Sequence, residues 1–215
     1  MRNGICKILV CLIALPWVVS TANSTIQCHE PDARMLASIV RVAGDDGSQA
    51  SGVVVATNLV LTAAHALEDA KSVYVGVDDL YVEAHVILID PARDLAIMVA
   101  PTADLMPIKL AQRELILTEP VWAVGYPLAQ DLHTSAGTVQ RMLDGDLHTS
   151  ADINSGHSGG GLLSCDHGNH VLAGMLRGFG AYRSGDNYVR LPNYSVSVAA
   201  REIKEFVASA QSTLQ

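Results

Sequence analysis

The sequence predicts an all-β protein whose antiparallel strands form a sandwich or barrel. Short runs of Val, Ile, Leu and Ala recur along the body of the chain, and turn-forming segments such as 44–47 (GDDG) and 184–187 (SGDN) separate several of them. A single segment, near the C-terminus, has the apolar spacing of a long helix. Many short strands separated by turns are typical of closed or stacked antiparallel sheets.

The predicted strands follow one another at short intervals. They cover residues 37–42, 52–56, 59–62, 73–77, 84–89, 95–99, 121–124, 162–163, 171–176 and 188–191. No internal repeat, low-complexity tract or linker interrupts the series. A chain of 215 residues with this pattern suits one domain, or two small lobes that share a core.

The predicted helix covers residues 198–208. Its apolar residues Ile203, Phe206 and Val207 are interspersed with charged residues at positions 201, 204 and 205. This spacing is typical of an amphipathic helix.

Residues 1–22 are predicted to be a secretory signal peptide. Arg2 and Lys7 precede an apolar run at 8–19, and small residues follow it up to Ala22, after which cleavage is expected. This run is too short to cross a bilayer about 30 Å thick as a helix, although a short membrane anchor is the alternative. The mature domain would then be residues 23–215, secreted or periplasmic and without a membrane anchor.

The composition and charge exclude several classes. With 49% hydrophobic residues, the chain is too apolar to be disordered. Lys and Arg total 14 against 22 for Asp and Glu, a formal net charge of −8, and loss of the signal peptide would remove two more cations. Because binding to nucleic acid or anionic membranes needs clustered Lys and Arg, neither partner is expected.

Two of the four cysteines, Cys28 and Cys165, would remain after removal of the signal peptide. In an exported chain, two cysteines most simply form one disulfide, which would enclose most of the domain. The alternative is two unpaired thiols. Their spacing is not that of metal ligands.

Three short motifs carry the candidate chemistry. Residues 62–65 (TAAH) place His65 after an apolar run, residues 93–97 (RDLAI) place Asp94 before one, and residues 154–161 (NSGHSGGG) surround Ser158 with glycines. Taken singly, they also suit a structural histidine, a turn at the start of a strand and a Gly-rich loop. The combination is far more specific than any one motif.

Together the three side chains suit nucleophilic catalysis. A serine hydroxyl is a poor nucleophile at neutral pH, and an imidazole with a pKa of about 6.5 can take its proton. Asp94 would hold His65 in one tautomer and stabilise its protonated form. The backbone N–H groups of Gly156 and Ser158 are the expected donors to the oxyanion of the intermediate, in a loop whose glycines permit positive φ.

These motifs resemble those of the chymotrypsin-like serine peptidases, and among them the bacterial HtrA-type branch. The order His, Asp, Ser matches. The similarity covers residues 38–206 and includes SGV at 51–53, VGYP at 124–127, GTV at 137–139 and YSV at 194–196. The resemblance implies two six-stranded β-barrels, with a boundary near residues 112–120, a triad in the cleft between them and a terminal helix. It also implies hydrolysis of protein or peptide substrates through an acyl-enzyme, without a metal or organic cofactor.

The sequence departs from the family in two respects. Digestive members carry an Asp immediately before the nucleophile, which pairs with the N-terminus released on activation, whereas here that residue is His157 and no Ile-Val-Gly-Gly start is visible. Activation by such a cleavage is therefore not expected. HtrA-type members usually carry PDZ domains and often form trimers, but no PDZ domain is expected here, and the oligomeric state is not predicted.

The substrate preference has two alternatives. Asp152 lies six residues before Ser158, where trypsin-like enzymes place the acid that recognises Arg or Lys, and a carboxylate buried there would favour a cationic side chain. The HtrA-type branch builds this loop differently and usually prefers small aliphatic residues. Arg177 and Phe179 are expected near the wall of the pocket, where Phe179 could narrow it.

Three other functions are weighed against this one. An α/β-hydrolase also has a G-x-S-x-G motif, but residues 144–150 lack the pattern of the buried strand that must precede it, and its triad order differs. A catalytically silent secreted β-domain is disfavoured because all three triad positions are occupied. Metal binding at His167 and His170 is disfavoured because they lie in a predicted turn.

Overall fold

A computed structural model describes residues 28–78 and 80–213, so the predicted signal peptide lies outside the described residues. Within that range, twelve strands close into two antiparallel barrels of six strands each, and a helix follows the last strand. The predicted all-β fold with two barrels and a C-terminal helix is confirmed.

The first barrel occupies the N-terminal half of the described chain. Its strands are β1 (Ile39–Gly44), β2 (Gln49–Ala56), β3 (Leu59–Ala63), β4 (Val73–Val77), β5 (Leu80–Asp90) and β6 (Leu95–Val99). They pair in the order β1-β2-β3-β6-β5-β4, and β4 closes the barrel on β1. Alternate side chains point inward, so that Val40, Val54, Val60 and Met98 form part of one buried cluster.

The second barrel follows the connecting residues 100–119. Its strands are β7 (Pro120–Gly125), β8 (His133–Leu143), β9 (Asp146–Thr149), β10 (Gly161–Asp166), β11 (Asn169–Ser184) and β12 (Asn187–Ala199). They pair in the order β7-β8-β9-β12-β11-β10, and β10 closes on β7. Val121, Val139, Leu162 and Leu176 belong to its buried cluster.

The apolar runs do not predict β8 or β9. β9 lies within residues 144–150, where the sequence pattern excludes a buried strand, yet Leu147, His148 and Thr149 are buried. That expectation is wrong because β9 is covered by its pairing with β8 on one side and β12 on the other. The α/β-hydrolase still does not fit, since Ser158 is followed by strand β10 rather than by a helix.

Two helices flank the barrels. The short α1 (Ala33–Leu36) begins at Asp32, whose side chain accepts a hydrogen bond from the Met35 N–H. The amphipathic α2 (Ala200–Thr213) packs Ile203 and Phe206 into a core cluster that contains side chains from both barrels. It begins two residues later and ends five residues later than the predicted 198–208. No helix within residues 28–78 and 80–213 is long and apolar enough to cross a membrane.

A disulfide joins Cys28 to Cys165, as the sequence favours. It ties the segment before the first barrel to β10 of the second, across a sequence separation of 137 residues. A cross-link over so long a loop restricts the unfolded chain and so stabilises the folded state by roughly 2–5 kcal/mol.

Candidate active site

His65 lies in a single 3₁₀ turn, Ala64–Leu67, that directly follows β3. The strand is buried along its whole length, and the turn begins with the buried Ala64. The imidazole, by contrast, is 46% exposed. The buried strand therefore fixes the backbone of His65 while its side chain remains accessible.

Asp94 ends the turn between β5 and β6 and is buried. Its φ of 58° lies in the left-handed region, which Asp tolerates better than most residues. Its backbone oxygen accepts a hydrogen bond from the Ala64 N–H, and its Oδ1 accepts one from the His65 N–H at 2.9 Å. The backbones of the two turns are thus held together independently of the imidazole.

The structure brings His65, Asp94 and Ser158 into one hydrogen-bonded chain. The Nδ1 of His65 lies 2.8 Å from Oδ2 of Asp94 and 3.0 Å from Oδ1. Its Nε2 lies 3.0 Å from the Ser158 Oγ. With Nδ1 donating to the carboxylate, the lone pair of Nε2 faces the hydroxyl, as a general base requires.

His65 and Asp94 shift each other's pKa in opposite directions. The hydrogen bond to Asp94 raises the pKa of His65 above its ordinary value, although burial acts in the opposite direction. Burial opposes ionisation of Asp94, but hydrogen bonds from the side chain and backbone of His65 outweigh it and hold the pKa of Asp94 below its ordinary value. Asp94 is therefore ionised, and the protonated form of His65 is stabilised.

Ser51, on β2, connects the first barrel to the nucleophile loop. Its N–H donates to the Ser158 backbone oxygen at 2.9 Å, and its hydroxyl donates to the Gly156 oxygen at 2.7 Å. The same hydroxyl accepts a hydrogen bond from the Tyr126 N–H at 2.8 Å. The sequence analysis does not assign this role; the available signal is a serine among the buried Ala, Gly and Val residues of β2.

Two glycines of the nucleophile loop are required by its backbone. Gly156 and Gly159 have φ values of 93° and 83°, which L-residues rarely adopt. A Cβ at Gly159 would overlap the Ser51 backbone oxygen and the Thr62 hydroxyl. A side chain there would therefore displace Ser158 from His65.

The expected oxyanion donors are unengaged. In the described chain, no hydrogen bond runs from the backbone N–H of Gly156 or Ser158 to a protein acceptor. The Ser155 oxygen accepts a hydrogen bond from the Leu128 N–H at 2.7 Å. Because a trans peptide points its N–H away from its C=O, this contact holds the Gly156 N–H on the side of the peptide opposite Leu128.

His157, immediately before the nucleophile, is 1% exposed. Its Nδ1 lies 3.1 Å from the Asn154 N–H, and its Nε2 is buried with no hydrogen-bond partner within the described chain. Burial lowers its pKa to about 4, against a smaller opposing effect of the Asn154 backbone. The side chain is therefore neutral at neutral pH.

The neutral state of His157 makes stability depend on pH. An unfolded histidine takes up a proton below about pH 6.5, whereas His157 in the fold does so only near pH 4. As pH falls through this window, the unfolded state is favoured by up to roughly 3 kcal/mol. We expect His157→Asn to reduce the difference in the free energy of unfolding between about pH 7 and about pH 4 by this amount. Urea denaturation at the two pH values measures this difference. Parallel curves for both proteins would contradict the prediction.

The structure also places the predicted pocket residues. The Asp152 carboxylate is paired with Arg190 and accepts the Asn193 N–H at 3.1 Å. Arg177 contacts Asp94, so it lies beside the triad. Phe179 packs against the core of the second barrel.

The two histidines weighed as metal ligands have other contacts. The Nδ1 of His167 lies 2.8 Å from Asp166, and His170 contacts the Trp122 ring and the His29 backbone oxygen. Among residues 28–78 and 80–213, no group of three or more His, Cys, Asp or Glu side chains is arranged to hold a metal ion.

Two six-stranded barrels and a hydrogen-bonded His-Asp-Ser set define a serine peptidase of the chymotrypsin-like fold. The complete hydrogen-bonded chain favours an enzyme over a silent binding domain. The model of the trypsin-like peptidase domain family matches residues 50–174, more than half of the chain. The chain therefore belongs to that family, whose members hydrolyse peptide bonds in proteins and peptides.

Solved structures show the same fold. Rv3671c protease from M. tuberculosis, in its active form, is 20% identical, with a TM-score of 0.68 over 94% of this chain and 93% of that one. The serine endoprotease from Yersinia pestis is also 20% identical, with a TM-score of 0.69 over 85% and 68%. The HtrA-type protease AlgW with a tripeptide gives 20% and 0.69 over 82% and 60%. No curated protein is a significant sequence match.

Proposed function

We propose that this protein is a serine endopeptidase in which Ser158 is the nucleophile, His65 the general base and Asp94 the residue that orients the base. The observation that carries the proposal is the unbroken series of hydrogen bonds from the Asp94 carboxylate through the imidazole to the Ser158 hydroxyl. Membership of the trypsin-like peptidase family supports it independently.

The proposed reaction has two stages. Nε2 of His65 takes the hydroxyl proton as Ser158 Oγ attacks the scissile carbonyl carbon, and the same proton then passes to the leaving amine when the C–N bond breaks. Water then attacks the resulting ester as His65 takes one of its protons, and that proton passes to Ser158 Oγ when the C–Oγ bond breaks, which releases the acid and restores the serine and the neutral imidazole. In each stage the N–H groups of Gly156 and Ser158 would stabilise the oxyanion, and each such donor is worth about 10²–10³ in rate.

We further propose that the protein acts outside the cytoplasm. The predicted signal peptide at 1–22 and the Cys28–Cys165 disulfide, which is typical of oxidising compartments, support secretion or a periplasmic location. Expression with the natural N-terminus, followed by N-terminal sequencing of the exported protein, tests this proposal. Protein that stays in the cytoplasm with residues 1–22 retained would contradict the proposal.

Of the two substrate preferences, we propose the small apolar one. Asp152 does not offer a free carboxylate to a cationic side chain, because Arg190 donates to it and also to the Ile153 oxygen at 2.8 Å. The Arg190 guanidinium keeps the pKa of Asp152 below its ordinary value and neutralises its charge. A lysine or arginine of a substrate would therefore meet a pair of opposite charges rather than an anion.

Cleavage of a peptide library, analysed by mass spectrometry, tests both the endopeptidase activity and the side-chain preference. We expect cuts after small apolar residues and few after Lys or Arg. Arg190→Met should release the carboxylate and raise the relative kcat/KM for Lys and Arg substrates about tenfold, and the double variant with Asp152→Asn should lose this gain. Absence of any cleavage would contradict the endopeptidase proposal; preferential cleavage after Lys and Arg by the unmodified protein would contradict only the preference.

A further inference from the structure

Arg177 lies on β11 and contacts the carboxylate of Asp94. Its Nε is 3.5 Å from Oδ2 of Asp94, and its Nη1 is 3.3 Å from Oδ2 of Asp146 on β9. The arginine side chain is partly exposed, whereas the Asp94 carboxylate is buried. One guanidinium thus joins the triad carboxylate to a second acid on a neighbouring strand.

This contact restricts the Asp94 carboxylate. Its Oδ2 faces both the guanidinium of Arg177 and Nδ1 of His65, while its Oδ1 accepts the His65 backbone N–H. Within the described part of the chain, Arg177 is the one Lys or Arg side chain paired with Asp94. A planar guanidinium held by two carboxylates has little freedom to rotate, so it favours one orientation of the Asp94 side chain.

The positive charge also acts on the base. The charged groups around the imidazole are Asp94 from the β5–β6 turn, Glu68 just after its own turn, and Arg177 from β11. The two carboxylates raise the pKa of His65, and Arg177 lowers it. The same guanidinium favours ionisation of Asp94. Arg177 therefore allows an ionised carboxylate beside a neutral imidazole at lower pH than the carboxylate alone would permit.

We propose that Arg177 is a positioning residue of the triad that fixes the Asp94 carboxylate and extends the working range of the enzyme toward acid pH. This inference rests on the proposed roles of His65 and Asp94. It places Arg177 in the triad's electrostatic environment instead of the wall of the substrate pocket.

The first test is the pH profile of kcat/KM for a peptide substrate. Arg177→Met should move the acid limb upward by about half a pH unit, as expected for loss of one partly solvated charge close to the imidazole. In Arg177→Lys the acid limb should stay close to its original pH, because the lysine keeps the positive charge. Arg183→Met is the matched control: it removes an exposed arginine from the same strand, with the same change in net charge, and should leave the limb unmoved.

The second test does not depend on activity. In the Ser158→Ala background, the titration of His65 followed by NMR should show the same upward shift on Arg177→Met. An unmoved titration would overturn the inference even if the enzyme is inactive. An unmoved acid limb with an altered side-chain preference would also overturn it and return Arg177 to the pocket. If the unmodified protein has no peptidase activity, that result would instead count against the proposed function alone.

Discussion

Ser158→Ala is expected to lower kcat by about 10⁶-fold, because the hydroxyl that faces His65 Nε2 is removed and the acyl-enzyme cannot form. The fold should remain intact. Among the described residues, the one hydrogen-bond partner of the hydroxyl is Nε2 of His65, and the Ser158 backbone oxygen would still accept the Ser51 N–H. Peptide hydrolysis and covalent labelling with a fluorophosphonate should both be lost, while the urea denaturation curve should be nearly unchanged.

Ser212→Ala provides a matched control for this loss. Ser212 is an exposed serine on α2, and its hydroxyl donates to the Ser209 backbone oxygen, far in sequence from the nucleophile loop. This variant should be labelled and should turn over like the unmodified protein. Full activity of Ser158→Ala, or fluorophosphonate labelling that persists in it, would show that the nucleophile lies elsewhere.

Strands could be predicted from the sequence where most of their side chains are apolar and buried. The apolar runs at 73–77 and 95–99 coincide with β4 and β6. The apolar runs do not predict β8, because most of its side chains are exposed. β11 and β12 extend well beyond their apolar runs, since their far ends form a two-stranded arm, paired from Ala181 to Ser184, whose side chains are largely exposed. Such pairing depends on backbone hydrogen bonds, which leave no apolar pattern in the sequence.

The residues of the candidate site were predictable from the sequence, whereas several of their contacts were not. His65, Asp94 and Ser158 each stand in a short motif, so local sequence was enough to bring them together as a hypothesis. The partners of Arg177 and Asp152 were not predictable, because they depend on the register of β11 and β12 around a closed barrel. Position relative to Ser158 suggested a free acid at Asp152, whereas the neighbouring strand supplies an arginine that neutralises it.

The role of Asp94 leads to the second large expected effect. Asp94→Asn preserves the size of the side chain. Asparagine also tolerates the left-handed φ of 58° that Asp94 adopts. Its amide oxygen can still accept the His65 backbone N–H, so the two turns should stay joined. The amide NH₂ would then face Nδ1, which must accept rather than donate. The proton of the neutral imidazole moves to Nε2, and the base loses the lone pair that faces Ser158.

We therefore expect Asp94→Asn to lower kcat/KM by about 10⁴-fold near neutral pH, with KM little changed. Asp90→Asn is the matched control. Asp90 lies at the start of the same turn and accepts the Ala92 and Arg93 backbone N–H groups at 3.1 Å, but it does not touch the imidazole. It should retain activity while perturbing the turn to a similar degree. A loss of less than tenfold for Asp94→Asn would mean that the carboxylate is not needed to orient the base; an equal loss for Asp90→Asn would mean that the turn, rather than the charge, is what the triad requires.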